Sequence, residues 1–153
     1  MSFPGKIAIL GGGSWATALA KLLLQTQDSI HWYMRRDDRI EEFVRLGHNP
    51  AYLTDVQFDV NRIFFSSDIN KICTDADTLL IATPSPYFKD HMSKVTVDIS
   101  EKAVVSAVKG IVPDENELIS DYMIREFHIA RNNMLVVSGP CHAEEVALSR
   151  PSY

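Results

Sequence analysis

The stretch Gly11-Gly12-Gly13-Ser14-Trp15-Ala16 carries the clearest chemical signal in the chain. It fits the spacing G-x-G-x-x-[GA] and lies between an apolar run ending at Leu10 and a helix-like segment opening at Ser14. In that strand-to-helix context the loop holds the pyrophosphate of a dinucleotide. Gly11 permits the tight turn, Gly13 lets the backbone come close to the phosphates, and Ala16 is small enough for helix and strand to pack closely. The N–H groups and positive dipole end of the following helix then face the anion. The plain alternative is a glycine-rich turn that packs without a ligand.

About 20 residues beyond such glycines, an Asp or Glu at the tip of the second strand normally marks NAD preference. Arg35-Arg36 stand there instead, and paired guanidinium groups suit a 2′-phosphate and can stack on adenine. Asp37 and Asp38 follow late enough to serve as the cap and first turn of the next helix. The spacing therefore predicts that NADP is accepted as well as NAD, against the alternative of a solvated basic tip.

Three more turns follow strand-like runs, where open α/β sheets collect ligands. In Ala82-Thr83-Pro84-Ser85-Pro86 two prolines stiffen the chain against a flat ring, or else merely stop a strand with Ser85 as helix cap. Lys109-Gly110 puts an ammonium at the crevice edge, although a lysine ending a strand is commonly just solvated. In Ser138-Gly139-Pro140-Cys141-His142-Ala143-Glu144-Glu145 a glycine again precedes a helix start, and the two glutamates complement its dipole. His142 reads as structural, and His31, His48, His91 and His128 lack a carboxylate at ligand spacing. Cys73 and Cys141 lie far apart without a CxxC, so neither a metal site nor a disulfide framework is written here.

The elements that must position these groups are legible as continuous apolar runs at 6–10, 30–34, 63–65, 78–82, 103–108 and 134–137. Such runs belong to strands buried on both faces of a parallel sheet. Helix-like segments at 14–25, 37–46, 68–74, 86–95, 116–128 and 141–148 alternate with them, and Asp114 stands ahead of the fifth as a capping candidate. The resulting βαβα order predicts an α/β fold with a doubly wound, mainly parallel sheet, the Rossmann-type dinucleotide-binding domain, over residues 1–153. The irregular segment 47–62 is longer than most connections and is expected to be functional.

Composition narrows the class. With 153 residues, 46% of them apolar and 23% charged, the chain can bury one sizeable core but not two. A net charge of −5 leaves no basic excess for a nucleic-acid backbone, so no nucleic-acid partner is expected. The nearly uncharged stretch 7–24 is broken by its glycines and by Lys21, so membrane insertion is not expected and the reducing cytoplasm fits best. Arg150-Pro151-Ser152-Tyr153 follows a helix without a closing strand, which predicts a truncated chain.

Together these residues resemble the NAD(P)-dependent glycerol-3-phosphate dehydrogenases of the soluble bacterial type. The resemblance runs in order through Gly11 to Ala20, Arg35-Arg36, Asn49-Pro50-Ala51-Tyr52-Leu53, Thr83-Pro84-Ser85, Lys109-Gly110-Ile111 and the block from Gly139 to Val146. It implies that Gly11, Gly13, Ser14, Trp15, Arg35, Arg36, Tyr52, Pro84, Lys109 and Ala143 line the dinucleotide site. It also implies that Lys109, Gly139 and Cys141 touch a small phosphorylated substrate. Ala16 stands where the family usually has glycine, and Cys141 where serine is usual. The resemblance further implies that the general acid and base is a lysine of a C-terminal helical domain absent from this chain. The product would feed glycerophospholipid synthesis, and a homodimer stays open. Two other readings remain at this point: another two-domain hydroxy-acid dehydrogenase, and a stand-alone dinucleotide-sensing regulatory domain.

Overall fold

The computed structural model describes residues 5–150. The last three residues, which entered the expectation of truncation, lie outside them. Six parallel strands form the sheet: β1 (Ile7–Leu10), β2 (Ile30–Tyr33), β3 (Ile63–Ser66), β4 (Thr78–Ile81), β5 (Ala103–Ser106) and β8 (Met134–Val136). Their spatial order is β3-β2-β1-β4-β5-β8. The order reverses between β1 and β4, where Leu10 stands opposite Ile81, so their carboxyl ends open the crevice of a doubly wound sheet.

Among the described residues five helices cover the sheet, α1 (Ser14–Leu23), α2 (Asp37–Leu46), α3 (Ile69–Asp75), α4 (Ser85–Met92) and α5 (Ile119–Phe127), and α6 (Ala143–Ala147) packs on α1. The strands are apolar at most positions, on both faces, because neighbouring residues serve different cores. Ala8, Leu10, Leu79, Ile81 and Val104 join one cluster with α3, α4 and α5. Ile9, Leu80 and Val105 join the opposite cluster with α1, α2 and the contacting rings of Trp32, Phe43, Phe58 and Phe65. Each fully buried aliphatic or aromatic side chain contributes roughly 1.5–3 kcal/mol of transfer free energy, which drives both layers onto the sheet. A third, small cluster of Ala18, Val146 and Ala147 seats α6 on α1 and so brings the 139–145 segment to the crevice.

Four helix starts differ from the sequence expectation, that of α3 only in that Asp68 caps the helix instead of opening it. Residues 111–118 form a hairpin, β6 (Ile111–Val112) against β7 (Glu117–Leu118), and α5 begins only at Ile119. Asp114 is therefore not a helix cap. It and Asn116 sit in the hairpin turn with φ of 69° and 51°, a conformation these short polar side chains tolerate. Two-residue strands are too short to show a period, which hid them. Helix α4 starts at Ser85 behind an extended Pro84, so Pro84 and not Ser85 holds the capping position. Helix α6 starts at Ala143 rather than Cys141, with Glu144 and Glu145 in its first turn. Among the described residues no helix is long and apolar enough to cross a membrane.

Candidate functional site

Gly11 and Gly13 have different physical reasons for being glycine. Gly11 has φ of 133°, and a Cβ there would lie 2.9 Å from the Ala82 carbonyl oxygen. Its own carbonyl accepts from Trp32 Nε1 at 2.6 Å, so the turn is wedged between β2 and β4. Gly13, by contrast, is extended (φ −85°, ψ −172°), and a Cβ there would meet nothing within 4 Å. Neither its conformation nor a protein neighbour demands glycine, and the bare backbone borders open space. Gly13 caps α1 without a side-chain bond. Among the described residues the first N–H of that helix with a protein acceptor is Thr17's, which donates to the Gly13 carbonyl at 3.0 Å. The N–H groups before it are left for a ligand or solvent.

Two cavities meet at this loop, sharing Gly13, Thr83 and Pro84. One, about 400 Å³, runs over Arg35, Arg36 and Tyr52. The other, about 500 Å³, runs over Ser14, Trp15, Lys109, Cys141 and Ala143. The residues singled out in the sequence are thus gathered into one continuous crevice, with two exceptions. Gly11 lies beneath the loop and shapes it. Gly139 lines neither cavity; it turns the chain with φ of 145° beside the Cys141 thiol, 3.7 Å from where its Cβ would be.

The arginine lip is not uniform. Arg36 forms a forked ion pair with Asp38, Nε to Oδ1 at 2.9 Å plus a second short bond. That pairing holds the Asp38 carboxyl below its ordinary pKa. Arg39 pairs with Glu42, whereas Arg35 has no ion-pair partner among the described residues. At the other end, Lys109 donates to the Cys141 carbonyl at 2.5 Å, and its Nζ sits 4.9 Å from the Trp15 ring centroid. Trp15 is itself fixed by Nε1 donating to the Ala107 carbonyl at 2.9 Å. Lys109 therefore joins the β5 end to the α6 approach. The hairpin that follows it is tied to α4 and α5 by Glu115, which pairs with Lys89 at 2.5 Å and Arg125 at 2.7 Å.

Two groups carry the site although sequence reasoning gave them no role of their own. Asn49, buried at 1% exposure, donates to the Gly12 carbonyl (3.2 Å) and Thr17 Oγ1 (2.9 Å). Its Oδ1 accepts from the N–H groups of Ala51 (3.0 Å) and Tyr52 (3.2 Å). One side chain thus fastens the long 47–62 loop to the glycine loop and aims Tyr52. Lys21 pins the far end of that loop through the Gln57 carbonyl at 2.6 Å. The second group is Thr83, whose hydroxyl lies 3.2 Å from the Leu10 carbonyl and 2.9 Å from His91 Nδ1. With the hydroxyl proton given to the carbonyl, Nδ1 is the donor. Burial lowers the His91 pKa from its ordinary value, opposing a charge there. In the sequence Asn49 and Thr83 stood out only as members of two blocks of the family resemblance, one in a long loop and one at a strand end, with no contact foreseen for either. Among the described residues no cluster of three or more His, Cys, Asp or Glu is placed to hold a metal ion.

Known proteins resemble this chain in sequence and in fold. The glycerol-3-phosphate dehydrogenase [NAD(P)+] of Bacillus subtilis is 35% identical over 149 residues, covering 96% of this chain and 43% of the relative. That of Lysinibacillus sphaericus is 34% identical over 150 residues, covering 96% and 44%. Among solved structures, the Plasmodium falciparum glycerol-3-phosphate dehydrogenase superposes with a TM-score of 0.84 at 25% identity, over 98% of this chain and 44% of that one. The Coxiella burnetii enzyme gives 0.78 at 25% identity, over 99% and 46%. The chain therefore spans less than half the length of these relatives. The family model for the NAD-dependent glycerol-3-phosphate dehydrogenase N-terminus matches residues 6–153, and the chain belongs to that family.

Proposed function

We propose that the crevice binds NADP or NAD, and that in the whole enzyme it serves the interconversion of dihydroxyacetone phosphate and sn-glycerol 3-phosphate. The observation that carries this reading is Gly13, a glycine the protein's own packing does not require, at the mouth of an uncapped helix N-terminus. An anionic pyrophosphate fits there, and any side chain would stand in its way. Arg35, Arg36 and Tyr52 then receive the adenosine half, while Pro84, Ser14, Trp15, Lys109 and Ala143 border the nicotinamide half. The bound cofactor supplies or accepts the hydride.

The chain's own residues orient the reactants and provide charge. Lys109 brings an ammonium to Cys141, in the segment assigned to the phosphorylated substrate. Reaching that substrate requires it to leave the Cys141 carbonyl, a bond to a neutral acceptor that a phosphate outcompetes. The proton donor is assigned to a lysine of the helical domain, outside these 153 residues, and residues 1–153 to the cofactor-binding domain. The whole enzyme is placed in the cytoplasm, feeding glycerophospholipid synthesis, with no nucleic-acid partner and a homodimer as its candidate assembly; the acidic net charge supports the absence of a nucleic-acid partner.

Titrating the chain with NADH and NADPH while following nicotinamide fluorescence tests the reading. Saturable binding of both is expected, with NADPH at least as tight as NADH. Absence of saturable binding by a folded chain overturns the cofactor assignment; marked preference for NADH, unchanged in Arg36→Ala, overturns the role of the arginine lip.

A further inference from the structure

Asp38 stands just outside the crevice, yet it grips one of the two arginines that line it. We propose that Asp38 sets the balance between NADPH and NADH by competing with the 2′-phosphate for Arg36. The inference rests on the cofactor reading above and adds a residue that does not itself line the cavity.

Arg36 precedes α2 in an extended conformation, and its side chain turns forward onto the first helical turn. There Nε donates to Asp38 Oδ1 at 2.9 Å and a terminal nitrogen donates to Oδ2. This occupies one whole edge of the guanidinium fork. A phosphate offers a pair of oxygens with the same charge and spacing as a carboxylate, so one edge of the fork serves one partner or the other. Asp37 is the informative neighbour. It carries the same charge one residue earlier in the same first turn, but it makes no ion pair among the described residues.

The competition has a direction. NADH, lacking the 2′-phosphate, leaves the Arg36–Asp38 pair in place, and Arg36 still offers its flat face to the adenine. NADPH has to displace the carboxylate and then hold a phosphate beside it, so Asp38 penalises NADPH specifically. Arg35, without an ion-pair partner among the described residues, meets the phosphate without this penalty. Both partners are well exposed, 54% for Arg36 and 61% for Asp38, so the pair is weak enough to be exchanged in solution. A full exclusion of NADPH is therefore not expected; the device biases a choice that remains open.

The experiment measures dissociation constants of NADPH and NADH by nicotinamide fluorescence for the full chain and four variants, with 2′-AMP and 5′-AMP as competing probes. Asp38→Ala is expected to raise the NADPH-to-NADH affinity ratio about five-fold, the scale of one exposed charge-assisted contact. The 2′-AMP-to-5′-AMP ratio should move with it. Asp37→Asn should leave both ratios within about two-fold, because it removes the same charge without touching the fork. In Arg36→Ala the preference for NADPH falls, and in the Arg36→Ala, Asp38→Ala double variant the gain from Asp38→Ala disappears. An unchanged or lowered ratio in Asp38→Ala, with Arg36→Ala still losing NADPH, overturns the competition while leaving the arginine lip intact. An equal rise in Asp37→Asn overturns it in favour of net charge alone. NADPH binding untouched by Arg36→Ala overturns both the competition and the reading on which it rests.

Discussion

Replacing Gly13 by valine separates what the glycine loop does for the fold from what it does for a ligand. The backbone at Gly13 is extended (φ −85°, ψ −172°), a region that suits a β-branched residue, and its Cβ direction is empty to 4 Å. The change also exchanges one uncharged N-cap residue for a poorer one. The cost to folding is therefore expected at about 1 kcal/mol or less. The cost to binding is larger, because the new methyl groups occupy the approach to the N–H groups at the start of α1. Losing two hydrogen bonds to a charged phosphate, each worth roughly 1.5–3 kcal/mol, weakens binding by about 3 kcal/mol or more, beyond a hundred-fold. Gly11→Ala should show the reverse signature. With φ at 133° and the Ala82 carbonyl 2.9 Å from the added atom, it strains the β1–β4 junction and lowers the melting temperature first. Circular dichroism melts and NADPH titrations on both variants form the assay. A folded Gly13→Val chain that binds within about three-fold of the parent refutes the pyrophosphate assignment.

Asn49→Ala removes four hydrogen bonds, one buried and three part-buried, leaves the Gly12 carbonyl short of a donor and frees the Tyr52 loop. A loss of about 2–3 kcal/mol in denaturant stability is expected, together with weakened dinucleotide binding, and unchanged values would show that the loop is held by other contacts. Burial lowers the His91 pKa from its ordinary 6.5, with Lys94 and Arg35 adding to the effect and Asp90 opposing it. The unfolded chain then binds the extra proton, so stability is complete above pH 6.5 and falls as the pH drops below it towards the folded pKa. His31, also lowered by burial, works in the same direction. His91→Gln should flatten the urea-midpoint profile between pH 7.5 and 5.5, and an unaltered slope would assign the titration to His31. The purified chain should bind cofactor yet show no steady-state reduction of dihydroxyacetone phosphate. Adding the C-terminal half of a relative should restore it unless Lys109 is alanine, and robust turnover by the 153-residue chain alone would place the proton donor within it.

How much of this was legible in the sequence follows from the range over which each signal acts. The six strands and the crevice they open were readable because continuous burial writes itself into continuous apolar runs, as at Ile7–Leu10 and Thr78–Ile81. Gly11 and Gly13 were readable because a backbone requirement leaves a residue type behind. The structure adds that the two requirements have opposite origins, one steric within the protein and one facing outward. The hairpin at 111–118 was not readable, since its two-residue strands show no period and its ties are long-range, Val112 buried in the core and Glu115 paired with helices far apart in sequence. Asn49 was hidden for the same reason. An asparagine in a loop is usually solvated, and only the fold reveals that this one is buried against residues 12 and 17. Asp38 shows the limit from the other side: it does sit in the first turn of α2, as its position predicts, but helix position says nothing about which cation its carboxylate holds. Local sequence thus specified which residues line the crevice, while long-range contacts specified how firmly each of them is held there. Cofactor affinity should accordingly respond to changes at Asn49 or Asp38, although neither residue belongs to the glycine fingerprint.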